Sequence, residues 1–226
     1  MELMLDTANL QELDRYLADY PAVGVTSNPS ILKKEGGVDL WEHLRKVKAL
    51  CGEDRSLHVQ VVADSTPLIL QEARRILAEL GEETYIKIPV TPAGLPAVKS
   101  LSEAGANVTA TAVYTSLQGM MAVMAGAKYI AVYFSRIEKM GGDPERVIRE
   151  LVAFIDNNGF DAKVLAASFH EPQEVSRAYA AGAHSATVAP SVIEQGLSEP
   201  PMRRAVQDFT ADFEAIHGPG SNLTTV

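Results

Sequence analysis

Residues 85–105 read YIKIPVTPAGLPAVKSLSEAG and contain one complete strand-and-helix unit. The run from Tyr85 to Val90 has the length and the Val and Ile content of a β-strand. Thr91-Pro92 places a capping residue before a proline in the first turn of a helix. Glycine is the residue most often found just after the end of a helix, and Gly105 is in that position. The stretch therefore predicts a β-strand followed by an α-helix.

The same unit recurs along the whole chain. Strand-length runs rich in Val, Ile, Leu and Thr lie at 3–5, 23–27, 57–62, 85–90, 108–113, 129–134, 164–168 and 185–189. Stretches with helical spacing separate these runs, and alternating βα units imply a parallel sheet. Eight units without a glycine- or proline-rich linker predict a single (β/α)8 TIM barrel of the α/β class. We expect one domain over residues 1–226, with an extra C-terminal helix at about 200–216 and a flexible tail at 217–226.

An open, doubly wound sheet is the competing architecture. It would place a glycine-rich fingerprint after the first strand, but residues 5–9 read LDTAN. A Walker P-loop is missing as well, so the sequence predicts no nucleotide cofactor. A metal site is not predicted either, because the histidines are scattered: His43, His58, His170, His184 and His217.

The composition excludes several function classes. The chain has 226 residues, of which 46% are hydrophobic and 22% are charged, and this balance is typical of a soluble globular protein. The net charge of −9 argues against a large basic surface for nucleic acid. Cys51 is the only cysteine, which excludes an internal disulfide and suits a reducing compartment. Acidic residues near the N-terminus and the lack of a long apolar run predict a cytoplasmic protein without a membrane partner.

The alternation of side chains along each strand predicts which residues point into the barrel. On the fourth strand, Ile86, Ile88 and Val90 share a face that the helices must cover, so Lys87 points inward. The same argument directs inward Asp6, Gly24, Thr26, Asn28, Gln60, Thr109, Thr111, Ala131, Tyr133, Ser168 and Thr187. It directs outward, among the apolar residues, Val23, Ala112, Leu165 and Ala167. Polar side chains thus converge at the C-terminal ends of the strands, where TIM barrels carry their active sites.

A lysine inside a barrel predicts a specific chemistry. Burial disfavours the charged form of Lys87 and lowers its pKa, so the neutral amine becomes available to attack a carbonyl. The resulting Schiff base is an electron sink that weakens a nearby carbon–carbon bond. This is class I aldol chemistry, which needs no metal. The alternative is a structural lysine that is paired with Asp6.

Five sequence motifs resemble the transaldolase superfamily. They are LDT at 5–7, GVTSNPS at 24–30, IKIPVT at 86–91, TAVY at 111–114 and AASF at 166–169. Their order and the chain length match the short branch of this superfamily, which contains fructose-6-phosphate aldolases and small microbial transaldolases. The resemblance runs from Glu2 to about Phe213, and it implies that Lys87 forms the Schiff base and that Asp6 handles a hydroxyl proton or orients the amine.

Three positions resemble the aldolase side of this branch. Transaldolases generally have Glu where this chain has Gln60 and Phe where it has Tyr133, and many have Ser where it has Ala131. The Tyr133 hydroxyl can act with Gln60 and Thr111 to hold a water molecule for proton transfer to the enamine. Protonation would then release free dihydroxyacetone.

The resemblance also implies the substrate-binding residues. Thr26, Asn28, Ala131 and Ser168 are expected to contact the sugar, and Arg136 the phosphate. The family usually has Lys or Arg where this chain has His170, a side chain whose charge depends on pH. A second departure is Val132, which replaces the usual proline.

We therefore expect a class I aldolase that reversibly cleaves fructose 6-phosphate to dihydroxyacetone and glyceraldehyde 3-phosphate. A transaldolase and a non-catalytic barrel that binds sugar phosphates are the alternatives. Small sugar phosphates are the expected partners, without nucleic acid. The resemblance further implies a homo-oligomer, because short barrels of this family assemble as pentamers and decamers with C-terminal helices that reach across.

Overall fold

A computed structural model describes residues 1–198 and 200–226. Eight parallel strands close into a barrel in chain order, and the last strand pairs with the first. The prediction of a (β/α)8 TIM barrel is confirmed. The strands are β1 Glu2–Asp6, β2 Ala22–Thr26, β3 Ser56–Gln60, β4 Tyr85–Pro89, β5 Val108–Val113, β6 Tyr129–Tyr133, β7 Lys163–Ala167 and β8 Ser185–Val188.

Helices surround the barrel, and short extra helices follow β2 and β6. In chain order the helices are α1 Leu10–Asp19, α2 Pro29–Leu32, α3 Leu40–Cys51, α4 Thr66–Leu80, α5 Gly94–Glu103, α6 Ser116–Met124, α7 Phe134–Lys139, α8 Pro144–Asn158, α9 Pro172–Ala180, α10 Pro190–Leu197 and α11 Pro200–His217. A 3₁₀ helix, Lys33–Glu35, continues α2. Within residues 1–198 and 200–226, every helix is too short or too polar to cross a bilayer.

Helix α5 begins later than its sequence pattern indicates. Thr91 still has the predicted capping role: its hydroxyl accepts a hydrogen bond from the N–H of Gly94, the first helical residue (2.9 Å), and its carbonyl oxygen accepts one from the N–H of Leu95 (3.0 Å). A side chain at position 94 would not fit, because a Cβ atom there would lie 2.0 Å from the carbonyl oxygen of Pro89. Gly94 therefore allows the helix to turn closely against the end of β4, the strand that carries Lys87.

Two hydrophobic layers form on either side of the strands. The outer layer lies between strands and helices and includes Val25, Ile86, Ile88, Val108 and Ile130. An inner layer fills the lower half of the barrel, and we call it the barrel floor: Met4, His58, Tyr85, Tyr129 and Leu165. Because these side chains fill the lower half of the barrel, a ligand inside the barrel would lie above them, in the cavity at the C-terminal ends of the strands.

His58 is a packed residue of the barrel floor. Its Nδ1 lies 2.8 Å from Thr109 Oγ1 and its Nε2 lies 2.9 Å from Ser56 Oγ. The ring stacks on Tyr85 with a centroid separation of 4.4 Å. Burial, together with the nearby charge of Lys87, holds the pKa of His58 well below its ordinary value. His58 is therefore a neutral support beneath the polar part of the barrel.

The inward and outward faces of β7 are reversed relative to the sequence prediction. Leu165 packs in the barrel floor and Ala167 lines the cavity above it, so both residues point inward. Val164 and Ala166 face the helices instead. The sequence prediction continued the alternation as far as Ser168. Ser168 lies beyond the strand with φ +64°, and this left-handed residue breaks the two-residue period.

Local irregularities in two other strands affect Ala112, whose predicted outward position is wrong, and Val23, which the helices do not cover. Ala112 has φ +56° and sits where the pairing of β5 with β6 shifts register, so Val113 takes the outward position instead. Val23 is skipped in the pairing of β1 with β2 and is 39% exposed. In both strands an extra residue shifts the alternation by one, as in a β-bulge.

Candidate active site

A cavity of about 310 Å³ opens at the C-terminal ends of the strands. Its wall brings together most of the side chains that the sequence analysis selected. They are Asp6, Asn28, Lys87, Thr111, Ala131, Tyr133, Arg136, Ser168 and His170. The position agrees with the general location of TIM-barrel active sites.

Lys87 lies at the base of this cavity and is only 5% exposed. Its Nζ donates a hydrogen bond to the carbonyl oxygen of Ser27 (2.8 Å). Burial lowers the pKa of Lys87, and the negative charge of Asp6 opposes this shift only in part. The amine therefore loses its proton more easily than an exposed lysine does, which is the condition for attack on a carbonyl.

Asp6 is the carboxylate that faces Lys87. Burial raises the pKa of Asp6, while the charge of Lys87 acts in the opposite direction. Thr26 does not line the cavity but supports Asp6 from behind, since its hydroxyl lies 2.6 Å from Asp6 Oδ1. The Thr26 hydroxyl is also 2.6 Å from that of Thr187. These bonds fix the carboxylate in a geometry suited to proton transfer.

Two hydroxyl groups lie on the neighbouring part of the wall. Tyr133 Oη and Thr111 Oγ1 are 3.1 Å apart, and β6 and β5 carry them side by side. Burial raises the pKa of Tyr133, so its phenol keeps its proton at neutral pH. The pair can hold a water molecule or a substrate hydroxyl between them.

Gln60 is placed differently from the other selected residues. It pairs with Lys87 in the register of β3 and β4, yet it lines an apolar groove between α3 and α4 instead of the cavity wall. Its carboxamide oxygen is buried and has no hydrogen-bond partner in the described part of the chain. A buried acceptor without a partner is costly, so this oxygen is suited to accept a hydrogen bond from a water molecule.

Arg136 is held in place by two tyrosines. Its Nη1 donates to the hydroxyl of Tyr114 (3.4 Å), and its guanidinium carbon lies 4.8 Å from the ring centroid of Tyr133. The bond to Tyr114 raises the pKa of Arg136 above its already high value. Arg136 therefore presents a permanent positive charge at the cavity, and a planar guanidinium matches phosphate well.

Glu174 joins the two segments that carry Arg136 and His170. Its Oε2 accepts hydrogen bonds from the hydroxyl of Ser135 (2.7 Å) and from the N–H groups of His170 (2.6 Å) and Glu171 (3.1 Å). Burial acts to raise the pKa of Glu174, but these bonds outweigh it and the pKa lies below its ordinary value. The charged carboxylate therefore fixes both segments at the mouth of the cavity.

The side chain of Asn28 caps a helix and also lines the cavity. Its side-chain oxygen accepts a hydrogen bond from the N–H of Ile31 (3.0 Å) and so caps α2. The amide NH₂ group of the same side chain can donate a hydrogen bond to a ligand in the cavity, which Asn28 lines.

The sequence analysis missed several residues of the cavity wall. Lys34, Ser30 and Ile31 follow β2 in short helices, where the alternation along strands gives no information. The available signal was the pair of adjacent lysines, Lys33 and Lys34, a few residues after the GVTSNPS stretch. In residues 1–198 and 200–226, no three His, Cys, Asp or Glu side chains are grouped as a metal ion would require.

Comparison with known proteins agrees with this geometry. The model of the transaldolase/fructose-6-phosphate aldolase family matches residues 3–225. A protein from Streptococcus pneumoniae named probable fructose-6-phosphate aldolase is 44% identical over 216 residues, which cover 96% of this chain and 97% of that relative. A buried lysine at the base of a TIM barrel, together with a match over nearly the whole chain, shows that this protein belongs to the transaldolase/fructose-6-phosphate aldolase family.

Proposed function

We propose that the protein is a class I aldolase that reversibly cleaves fructose 6-phosphate to dihydroxyacetone and glyceraldehyde 3-phosphate. The observation that carries the proposal is the buried amine of Lys87, whose pKa is lowered, facing Asp6 at the base of a polar cavity. The name of the Streptococcus pneumoniae relative supports the same substrate. The reaction as proposed uses only side chains and water, without a metal or an organic cofactor.

The proposed cleavage begins with Lys87. Its neutral Nζ adds to the C2 carbonyl of the open-chain sugar, and loss of water gives a protonated imine. Asp6 then takes the proton of the C4 hydroxyl. The C3–C4 bond breaks, its electron pair moves into the imine to form an enamine, and glyceraldehyde 3-phosphate leaves. A raised pKa makes Asp6 a stronger base than an exposed carboxylate.

The second half of the reaction returns the enzyme to its starting state. We assign to Tyr133 and Thr111, whose hydroxyl groups are 3.1 Å apart, the binding of a water molecule that delivers a proton to C3 of the enamine. Asp6 returns to this water the proton that it took from the C4 hydroxyl. Gln60 was expected to share in this step, but it lines the adjoining groove, so it is left out of the assignment. Water then hydrolyses the imine, dihydroxyacetone leaves, and Lys87 regains its free amine.

The remaining residues of the cavity wall are assigned to substrate binding. Asn28 and Ser168 bind sugar hydroxyls, and Ala131 leaves room for the sugar chain. Arg136 binds the phosphate, and His170 lies close enough to the same mouth to contribute a hydrogen bond. The cavity thus combines positive charge at its mouth with a reactive amine at its bottom, as the cleavage of a phosphorylated ketose requires.

The test is the trapping and mapping of the Schiff base. Borohydride added with dihydroxyacetone should reduce the imine to a stable adduct, and peptide mass spectrometry should place it on Lys87. Lys87→Ala should abolish both the adduct and the cleavage of fructose 6-phosphate. In the native enzyme, a metal chelator should change neither the adduct nor the rate of cleavage. Mapping matters because Lys34 also lines the cavity. An adduct on Lys34, or activity that is lost on chelation, would contradict the proposal.

The transaldolase alternative differs in the fate of the enamine. A transaldolase holds it until a second aldehyde arrives, so fructose 6-phosphate alone would not be turned over. We expect free dihydroxyacetone to accumulate without any added acceptor. A strict requirement for an acceptor would show a transaldolase, and no turnover in either assay would show a barrel that only binds sugar phosphates.

We propose further that the chain acts as a homo-oligomer in the cytoplasm. One face of α11 carries Met202, Val206, Phe209, Phe213 and Ile216 at helical spacing, and no residue of this helix is buried. An apolar helix face without a cover supports association with another copy of the chain. The free thiol of Cys51 supports a reducing compartment.

A further inference from the structure

Lys34 lies at the mouth of the cavity, on the side opposite Arg136. It belongs to the 3₁₀ helix that follows β2, whereas Arg136 belongs to the helix that follows β6. In a barrel whose eight strands pair in chain order, β2 and β6 are four strands apart and therefore face each other. Both side chains line the same cavity. Two positive groups thus flank one opening.

The segment that carries Lys34 is anchored at both ends. At its start, Asn28 caps α2. At its end, the Glu35 carboxylate accepts a hydrogen bond from the side chain of Asn9 (3.3 Å). These contacts fix the rotation of the 3₁₀ helix, so that Lys34 lines the cavity while its neighbour Lys33 does not.

Lys34 forms no close ion pair with a carboxylate in the part of the chain that the structure describes. Other lysines form close ion pairs, such as the exposed Lys46 with Glu42 and the partly buried Lys48 with Glu83, both at 2.7 Å. The charge of Lys34 instead extends into the cavity, where it acts to lower the pKa of Asp6. A cation left without a partner at a cavity mouth, in a chain of net charge −9, favours an anionic ligand.

We propose that Lys34 is a substrate-binding residue that contacts a phosphate ester of the substrate from the side of the mouth opposite Arg136. The hydroxyl of Ser30, which also lines this side, lies within the same segment and can donate a second hydrogen bond. The inference rests on the proposed function, because it takes the substrate to be a phosphorylated ketose. The inference assigns part of the preference for phosphorylated ketoses to the segment after β2 that carries Lys34.

A phosphate ester can be carried by either end of the sugar. On C6 it would lie between Lys34 and Arg136, and on C1 it would meet Lys34 alone. The chemistry of recognition is the same in both cases. Kinetics with fructose 6-phosphate, fructose 1-phosphate and unphosphorylated fructose distinguish the two ends.

The experiment compares Lys34→Ala with Lys33→Ala. The two variants remove the same charge from adjacent exposed residues, so a difference between them reports contact and not net charge. We expect Lys34→Ala to raise the ratio of KM for the phosphorylated sugar to KM for fructose by about tenfold, as loss of a charged hydrogen bond does. Lys34→Arg should restore most of this ratio, and added salt should reduce the effect. An equal change in both variants, or an equal rise in KM for phosphorylated and unphosphorylated sugars, would overturn the proposal.

A binding measurement separates this inference from the proposed function. Calorimetric titration with glycerol 3-phosphate, and with glycerol as its neutral counterpart, needs no turnover. Weaker binding of glycerol 3-phosphate to Lys34→Ala, but not to Lys33→Ala, would support the role of Lys34 even if the enzyme did not cleave fructose 6-phosphate. Undiminished binding in Lys34→Ala would overturn it even if cleavage were demonstrated.

Discussion

Lys87 is buried and Asp6 is partly buried, and each group changes the pKa of the other. Burial lowers the pKa of Lys87, and the negative charge of Asp6 raises it again in part. The neutral amine is the nucleophile of the proposed reaction, so imine formation should increase as the pH rises through the lowered pKa of Lys87. The carboxylate thus restrains the nucleophile in the resting enzyme while it serves as the base in the proposed cleavage.

Asp6→Asn should separate these two effects. It removes the charge that raises the pKa of Lys87, so the pH at which dihydroxyacetone is half-maximally trapped by borohydride should move to a lower value. Cleavage of fructose 6-phosphate should fall by about 10² to 10⁴-fold, because the proton acceptor is lost. Asp161→Asn, at the other end of the barrel, is the control and should change neither. A trapping profile that stays in place or moves to higher pH would show that Asp6 does not set the pKa of Lys87.

Tyr133→Phe should test the assignment of the phenol to proton delivery. Removing the hydroxyl leaves the ring, which still packs against Tyr114 and Arg136. Release of dihydroxyacetone should slow at least about tenfold, equivalent to about 1.4 kcal/mol in the barrier. Transfer of the enamine to an added aldehyde should fall less or rise, and product analysis measures both. A uniform loss of the two activities would indicate instead that the hydroxyl acts before the enamine forms.

The positions of most site residues could be predicted from the sequence because regular strands alternate. Lys87 and Thr111 lie in regular stretches of strand, and both line the cavity as expected. Lys34 was missed because it lies in a 3₁₀ helix, whose orientation depends on the distant contact between Glu35 and Asn9. Gln60 was placed on the wall by the same alternation, but its side chain lies beside an adjoining groove.

At the scale of elements, the N-terminus of α9 acts as a clamp. The Glu174 carboxylate accepts three hydrogen bonds, which connect the segment after β6 with the segment after β7. The contribution of Glu174 to stability is complete above its ordinary pKa of 4.5. It is lost as the pH falls through the lower pKa of the folded state. The clamp is therefore intact throughout the neutral range.

Glu174→Ala should loosen the cationic side of the cavity mouth. We expect the free energy of unfolding to fall by about 2–4 kcal/mol, because the N–H groups and the Ser135 hydroxyl lose a charged acceptor. KM for fructose 6-phosphate should rise more than KM for fructose, since Arg136 and His170 lie on the released segments. Thermal unfolding and steady-state kinetics measure the two effects, with Glu53→Gln in an exposed loop as the control. Loss of stability with an unchanged KM ratio would show that the clamp serves the fold alone.

The sequence pattern predicted the number and order of the strands better than it predicted which side chains of a strand point into the barrel. Eight strands were expected from apolar runs bounded by glycine and proline, and the structure has eight. The faces of β7 were wrong because its residues, KVLAA, are apolar after the lysine and offer no contrast between inside and outside. Only tertiary packing decides which face of such a strand points into the barrel. In β7, Leu165 packs in the barrel floor and Val164 packs against the helices.

At the scale of the whole molecule, α11 is the element that the barrel leaves uncovered. Its apolar face includes Phe209, which is 71% exposed, and Ile216, which is 78% exposed. Exposed apolar faces of this length are unfavourable in water. Burial against another copy of the chain would remove that cost.

Phe209→Glu should reduce the size of the assembly. Light scattering coupled to size exclusion should give a native mass that is a multiple of the 24.3 kDa chain, and the variant should give a smaller mass. Gln207→Glu adds the same charge on the opposite side of α11 and serves as the control. A native chain that remains monomeric at micromolar concentration would contradict the proposed oligomer.

The barrel floor has a kinetic consequence. Because Met4, His58 and Leu165 fill the barrel beneath Lys87, we expect the acceptor aldehyde, the water and both products of the proposed reaction to share the mouth of the cavity. In that reaction, an aldehyde that stays in the mouth would displace the water that protonates the enamine. The fate of the enamine would then depend on the residence time of the aldehyde relative to the lifetime of the enamine. Substitutions at the mouth can shift this balance while the nucleophile stays as it is.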